Sequence, residues 1–260
     1  MIRGRVRTPD GAVLAIQQTG PADGPPLLLL PGQANSHRWW DELRSGFDDA
    51  CRTITFDYRG TGDTAGPEVP WSTSSFADDA ATVLDALGIR GAHVYGTSMG
   101  GRIAQMLAIR RSAMVGRLVL ACTSPGGPDA KERSAAIRRE LADPDDNRRT
   151  AALVRLFYTP AWPGCAADSL LLGDPTMTTK ASMLHLRISS DHDASPDLHR
   201  IAAPTLVLHG VDDELSLPAN ATYLADRIPG ATVEILPGRH GFFDEFSADV
   251  TPLVRAHLGV

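Results

Sequence analysis

Hydrophobic residues along this chain switch repeatedly between strand-like runs and helical stripes, and this switching restricts the fold more than any other feature. The four leucines at 27–30 form a run without alternation, ended by Pro31-Gly32, as suits a strand covered on both faces of a parallel sheet. Thr53-Ile54-Thr55-Phe56, His93-Val94-Tyr95, Leu118-Val119-Leu120-Ala121, Thr205-Leu206-Val207-Leu208 and Thr232-Val233-Glu234-Ile235-Leu236 read as further strands. Between them Trp40, Leu43 and Phe47 share a helical face. So do Phe76, Ala80, Val83, Leu84 and Leu87, with Gly88 placed to stop that helix, and then Ile103, Met106 and Leu107. Residues 218–227 and a terminal stretch carrying Val250, Leu253, Val254 and Leu258 complete the helical set. Pro252 predicts that the last helix starts late, with Thr251 as its cap, or kinks there. Pro9-Asp10-Gly11 predicts an N-terminal hairpin turn. Strand and helix in alternation indicate βαβ units and an α/β fold with a mostly parallel sheet.

The alternation breaks once, between Ser124 and about His199. This stretch opens with Pro125-Gly126-Gly127-Pro128 and runs on through charged, Ala-rich sequence without a strand pattern. It reads as a mostly helical insertion, which divides the chain into residues 1–123, 124–199 and 200–260.

Composition removes several function classes. At 43% hydrophobic and 22% charged residues the chain is rich enough in apolar side chains to fold, and no aliphatic run approaches a membrane span. With 31 acidic against 25 basic residues, a nucleic-acid or anionic-membrane partner is not expected. Cys51, Cys122 and Cys165 are widely spaced and odd in number, so they are expected to be buried or inert thiols rather than a disulfide frame or zinc site. No secretory signal pattern is visible, and a cytoplasmic location is the expectation.

The sharpest chemical signal is Gly96-Thr97-Ser98-Met99-Gly100-Gly101, directly after a predicted strand and before a predicted helix. A tight strand-to-helix turn holds a serine in a strained conformation with its hydroxyl exposed, and small residues two before and two after avoid backbone clashes. The helix starting there also aims its N-terminal dipole at a developing oxyanion.

On these residues, and on Arg117-Leu-Val-Leu-Ala-Cys-Thr123, the chain resembles the α/β-hydrolase superfamily over essentially its whole length. It looks most like the 3-oxoadipate enol-lactonase-like and small carboxylesterase branch. The resemblance implies an α/β-hydrolase fold: a mostly parallel sheet of about eight strands flanked by helices, with a helical cap inserted after the sixth strand.

It also implies a Ser-Asp-His triad in that chain order, because a serine hydroxyl needs a base within reach and a third group to orient that base. Ser98 would be the nucleophile. His240, after the last predicted strand, has the family position of the base; His37, His93, His185, His192, His199, His209 and His257 do not. Three adjacent acidic residues, Asp212, Asp213 and Glu214, end the preceding strand, and composition does not choose among them. The family spacing Gly-x-x-Asp with a proline shortly after falls on Asp213, leaving Asp212 a turn or cap role.

The backbone N–H groups of Gln33 and Met99 are implied as the oxyanion hole. Here Pro31-Gly32-Gln33 replaces the family's common His-Gly, a departure that bears on what supports this turn. Asp57-Tyr58-Arg59-Gly60-Thr61-Gly62-Asp63-Thr64 matches a structural loop of the family, in which Arg59 is expected as a buried ion-pair partner.

The implied function is hydrolysis of a small-molecule carboxylic ester or lactone, with no metal or organic cofactor. Carbon–carbon bond hydrolysis, perhydrolysis or acyl transfer by the same triad are alternatives within the enzymes, and a non-catalytic small-ligand binding protein is the alternative of another class. Asp191-His192-Asp193 carries donor types that bind metals but is expected to be ordinary polar structure. Arg155 or Arg187 would hold a substrate carboxylate if the substrate carries one, with ordinary surface arginines as the commoner reading of both.

Overall fold

A computed structural model describes residues 1–67 and 70–260. Eight strands form one sheet: β1 (Ile2–Arg7), β2 (Val13–Thr19), β3 (Pro26–Leu30), β4 (Arg52–Phe56), β5 (Ala92–Thr97), β6 (Val115–Ala121), β7 (Thr205–Gly210) and β8 (Thr232–Leu236). Their order is β1-β2-β4-β3-β5-β6-β7-β8. β1 and β2 pair antiparallel as the predicted hairpin, β2 is antiparallel to β4, and β3 through β8 are parallel. From β3 the chain moves to β4 on one side and then returns to β5 on the other. The C-terminal ends of β3 and β5 therefore flank the point where strand order reverses, which is where open α/β sheets place their crevice.

The central strands are covered on both faces, as the unalternating leucines predict. Leu28, Leu30, Val94, Leu118, Leu120 and Val207 pack with residues of α1 (Thr73–Ala86), α2 (Met99–Arg110) and α6 (Ala219–Arg227). The intervening Leu27, Leu29, Tyr95, Val119, Leu206 and Leu208 pack with Trp39, Trp40, Phe243 and residues of the last helix, α8 (Ser247–Leu258).

Between β6 and β7 lie α3 (Ala135–Leu141), α4 (Asp146–Phe157) and α5 (Thr179–Ser190). The two ends of this segment are tied to each other. The Ala194 N–H donates to the Pro125 carbonyl (2.8 Å) and the Gly127 N–H to the His192 carbonyl (3.0 Å). Gly126 explains the Pro-Gly-Gly-Pro sequence: its φ is +68°, and a Cβ there would lie 1.9 Å from the His192 carbonyl oxygen.

Two expectations need correction. Trp40, Leu43 and Phe47 do not share an α-helix; two short 3-10 turns, His37–Trp40 and Leu43–Gly46, occupy this stretch. The neighbours Trp39 and Trp40 are both buried, which a single helical stripe does not achieve. The last helix neither starts at Pro252 nor follows a Thr251 cap, because α8 begins at Ser247 and carries the proline internally, after the short α7 (Phe242–Glu245). Cys51 and Cys122 are buried free thiols, whereas Cys165 is exposed.

Arg59 is the buried ion-pair partner expected of it. Its guanidinium grips Asp79 through two bonds of 2.7 Å and Asp10 through bonds of 2.5 and 3.1 Å. Among the described residues no helix is long and apolar enough to cross a membrane.

Candidate active site

Ser98 stands between β5 and α2 with φ +53° and ψ −118°, a conformation that L-residues rarely adopt. The glycines around it show why the chain tolerates this. A Cβ on Gly96 would lie 2.4 Å from the Gly100 carbonyl oxygen, one on Gly100 would lie 2.1 Å from the Leu30 carbonyl oxygen, and one on Gly101 would meet the Thr123 side chain at 2.6 Å. The first two obstacles are backbone and have little freedom to move away. The turn is also bonded outward: the Ser98 N–H donates to the Ala121 carbonyl (2.9 Å), and Thr123 Oγ1 donates to the Ser98 carbonyl (2.7 Å).

The loops after β7 and β8 bring the other two polar groups to this hydroxyl. His240 Nε2 is 3.0 Å from Ser98 Oγ, and His240 Nδ1 is 2.8 Å from Asp213 Oδ2. Asp213 is almost fully buried, and its Oδ1 accepts from the backbone N–H groups of Leu215 (2.8 Å) and Ser216 (3.0 Å). Burial alone would raise the Asp213 carboxyl. The facing His240 and hydrogen bonds from His209 and His240 outweigh it and hold the group well below the usual carboxylate range. An ionised Asp213 requires a proton on His240 Nδ1, so in the neutral ring Nε2 carries the lone pair that accepts from the Ser98 hydroxyl. The Asp212 N–H is used to hold the turn, donating to the Gly238 carbonyl (3.0 Å).

His209 is an unforeseen neighbour. Fully buried on β7, it sets Nε2 3.2 Å from Asp213 Oδ2 and against the Ser216 carbonyl. Both facing atoms are acceptors, so Nε2 bears the proton; among the described residues Nδ1 has no hydrogen-bond partner. Its position four residues before Asp213, at a strand end, was the available sequence signal.

Gln33 and Met99 line the same cavity as Ser98 and His240. Met99 is the first residue of α2, where a backbone N–H has no acceptor within the helix. The Gln33 turn is supported largely by the segment between β6 and β7. Ala34, at φ +59°, donates its N–H to His185 Nδ1 (3.3 Å) and accepts from the Asp174 N–H (2.8 Å), while Asn35 Nδ2 donates to the Leu171 carbonyl (3.1 Å). His185 Nε2 in turn bonds the Arg59 carbonyl (2.8 Å), and burial pushes its pKa down to about 4. That segment also reaches the histidine loop: the His240 N–H donates to Leu156 O (3.2 Å), and the Phe157 ring packs edge-on against the imidazole.

The cavity holds about 500 Å³, and Trp39, Phe157, Met177 and Met183 contribute apolar walls. Arg155 and Arg187 do not line it. Arg155 pairs with Glu140 (2.6 Å) and Glu214 (3.1 Å), and the exposed Arg187 pairs with Asp191 (3.2 Å). The arginines on the wall are Arg102, Arg133 and Arg149. Arg102 lies one helical turn after Ser98, a spacing that puts it on the Ser98 side of α2; nothing in the charged sequence around Arg133 marks it out. His192 turns inward to Thr73 Oγ1 (2.9 Å), and among the described residues no group of three or more His, Cys, Asp or Glu is arranged to hold a metal.

The chain matches known proteins over most of its length. The alpha/beta hydrolase family matches residues 27–252, and the chain belongs to that family. It is similar to rhodomycin D methylesterase DauP of Streptomyces sp. strain C5, at 30% identity over 88% of this chain and 89% of the relative. It is also similar to 3-oxoadipate enol-lactonase 2 of Acinetobacter baylyi, at 28% identity over 85% of this chain and 84% of the relative. Among solved structures, a hydrolase from Pseudomonas aeruginosa superposes with a TM-score of 0.87 at 28% identity, covering 99% of this chain and 98% of the other. The esterase RhEst1 from Rhodococcus superposes with a TM-score of 0.85 at 25% identity, covering 100% and 99%. The protein is thus a hydrolase with esterase- and lactonase-type relatives.

Proposed function

We propose that the protein is a serine hydrolase that cleaves a small-molecule carboxylic ester or lactone through an acyl-enzyme on Ser98. The observation that carries this reading is the unbroken relay from Asp213 through His240 to the Ser98 hydroxyl, at 2.8 and 3.0 Å. His240 takes the hydroxyl proton at Nε2 as Ser98 Oγ bonds to the carbonyl carbon, and the Gln33 and Met99 N–H groups receive the oxyanion. Collapse of the adduct breaks the bond to the alkoxide, which leaves with the proton held on His240. Water, deprotonated by the same nitrogen, then attacks the acyl carbonyl and returns Ser98 to its free form. Asp213 keeps Nδ1 protonated and offsets the charge of the imidazolium.

Residues 124–199 act as a cap over the strand ends and choose the substrate, in keeping with their share of the cavity wall. The methylesterase and enol-lactonase relatives favour ester or lactone cleavage over carbon–carbon cleavage, perhydrolysis or acyl transfer. The proposed setting is the cytoplasm, with small-molecule substrates and neither membrane nor nucleic acid as partner.

A fluorophosphonate probe is expected to label the wild type at Ser98, and Ser98→Ala is expected to lose both labelling and hydrolysis of a short p-nitrophenyl ester while staying folded. Turnover retained by Ser98→Ala would overturn the assignment.

A further inference from the structure

The cavity over Ser98 contains more positive charge than the protein itself answers. Among the described residues Arg102 donates only to neutral acceptors, the Ser189 carbonyl and Ser124 Oγ (2.9 Å). The Arg133 guanidinium, partly buried on the same wall, has neither a hydrogen-bond acceptor nor a carboxylate within ion-pair reach among the described residues. The remaining charged groups on the wall are otherwise engaged. Arg149 pairs with Asp146, and Asp174 accepts from the Gly62 N–H (3.1 Å) and from the N–H and hydroxyl of Thr176 (2.9 and 2.6 Å).

Burial pulls both guanidinium groups down from the ordinary arginine value, Arg102 to about 10. A desolvated cation with no carboxylate in contact, only the more distant charges of Glu132 and, at Arg133, Asp213, is unfavourable, and a bound anion lessens that penalty. Arg133 is also pre-positioned. The preceding Lys131 exchanges two hydrogen bonds with the Asn220 side chain (2.8 and 2.9 Å), and Glu132 bridges Ser216 in the loop that carries Asp213.

We propose that Arg133, with Arg102 adding positive charge to the same cavity, receives a carboxylate of the substrate, so that the enzyme acts on esters or lactones that retain a free carboxylate. A planar fork on a fixed stretch of backbone suits that group, which it can bind through two parallel N–H···O bonds. This inference rests on the serine-hydrolase reading for its reaction and on the cavity wall for its substrate class.

The test compares kcat/KM for monomethyl adipate with that for methyl heptanoate, which has a similar chain and no charge. Wild type is expected to prefer the adipate ester by at least ~10-fold. Arg133→Gln, shown to be folded by circular dichroism, is expected to reduce that ratio ~10–100-fold, chiefly through KM; Arg133→Lys reduces it less, and exposed Arg187→Gln leaves it intact. A ratio equal in wild type and Arg133→Gln, or a wild-type preference for the neutral ester, overturns the proposal. If neither ester is turned over, the decision passes to calorimetric binding of adipate. Binding by wild type that is lost in Arg133→Gln upholds the anion site, and absence of binding by wild type overturns it. Failure of the serine-hydrolase reading is separate, since it shows as absent fluorophosphonate labelling of Ser98.

Discussion

The strand-end turns and the segment between β6 and β7 meet at one cavity but are built by different means. At the turns, backbone sterics decide. Ser98 is held at φ +53° by glycines that no larger residue replaces without collision, and buried hydrogen bonds fix Asp213 and His240. The segment 124–199 is made of short helices fringed by exposed ion pairs such as Arg138–Glu132 and Arg148–Asp143, and its Met183 and Leu186 are exposed at the cavity. On the proposed function, chemistry is therefore placed where few sequences fit, and substrate choice where many do.

If this contrast is right, the largest losses come from the turns. Asp213→Asn is expected to lower kcat/KM by roughly 10³–10⁴-fold, because an amide beside Nδ1 no longer enforces the needed tautomer, whereas Asp212→Asn stays within about 3-fold. Steady-state kinetics on a p-nitrophenyl ester decides, and a larger loss in Asp212→Asn reverses the assignment. Next comes Gly100→Ala, whose methyl would sit 2.1 Å from the Leu30 carbonyl oxygen. A cost of roughly 3–4 kcal/mol in urea unfolding is expected, although one methyl is all that is added. Unchanged stability would mean that the turn is far more pliable than its geometry indicates.

The same contrast explains what could be read from the sequence. The strands were legible because a sheet covered on both faces demands runs like Leu27-Leu28-Leu29-Leu30, and the Ser98 turn because only glycines fit around it. Asp213 and His240 needed the family's chain order, since three acidic residues and eight histidines carry no local mark of their own. What stayed hidden depends on tertiary approach. His209 meets Asp213 because β7 ends facing inward, and His185 meets Ala34 across 151 positions of sequence. Arg155 and Arg187 were the arginines the sequence offered for a carboxylate, and their carboxylate partners, visible in the fold alone, take them out, while nothing in the sequence singles out Arg133. The start of α8 was missed because tertiary packing of Val250 and Val254 carries the helix through Pro252.

His185 joins the two regions, and its chemistry makes that joint sensitive to acid. Its Nδ1 accepts from Ala34, its Nε2–H donates to Arg59, and its ring lies among Tyr58, Trp71 and Phe76, which offer a proton's charge no counter-ion. The folded-state pKa is depressed to about 4 from the ordinary 6.5, so below 6.5 the unfolded chain binds a proton that the folded chain refuses. This contribution to stability is complete above pH 6.5 and is lost as pH falls toward 4, by up to ~3 kcal/mol. His185→Phe is expected to be less stable at pH 7.5, with Ala34 N–H and the Arg59 carbonyl unpaired, yet to lose less on acidification. Urea unfolding at several pH values measures both, and an unchanged pH slope in the variant would remove His185 from the account.

The smallest effect is expected at the surface charges of the inserted segment. Arg155 bridges Glu140 on α3 and Glu214 beside Asp213, a position that invites a structural role, but all three side chains are about half exposed. Water screens such pairs, and ordering long side chains offsets most of their attraction. Arg155→Gln should therefore cost under ~1 kcal/mol at low salt, a fall of a few degrees at most in Tm, and less still in 1 M NaCl, where charges are screened within ~3 Å. A larger, salt-insensitive loss would mean that the segment is clamped to the Asp213 loop through this arginine. The inserted helices would then share in fixing the catalytic geometry, and the division between the two regions would no longer stand.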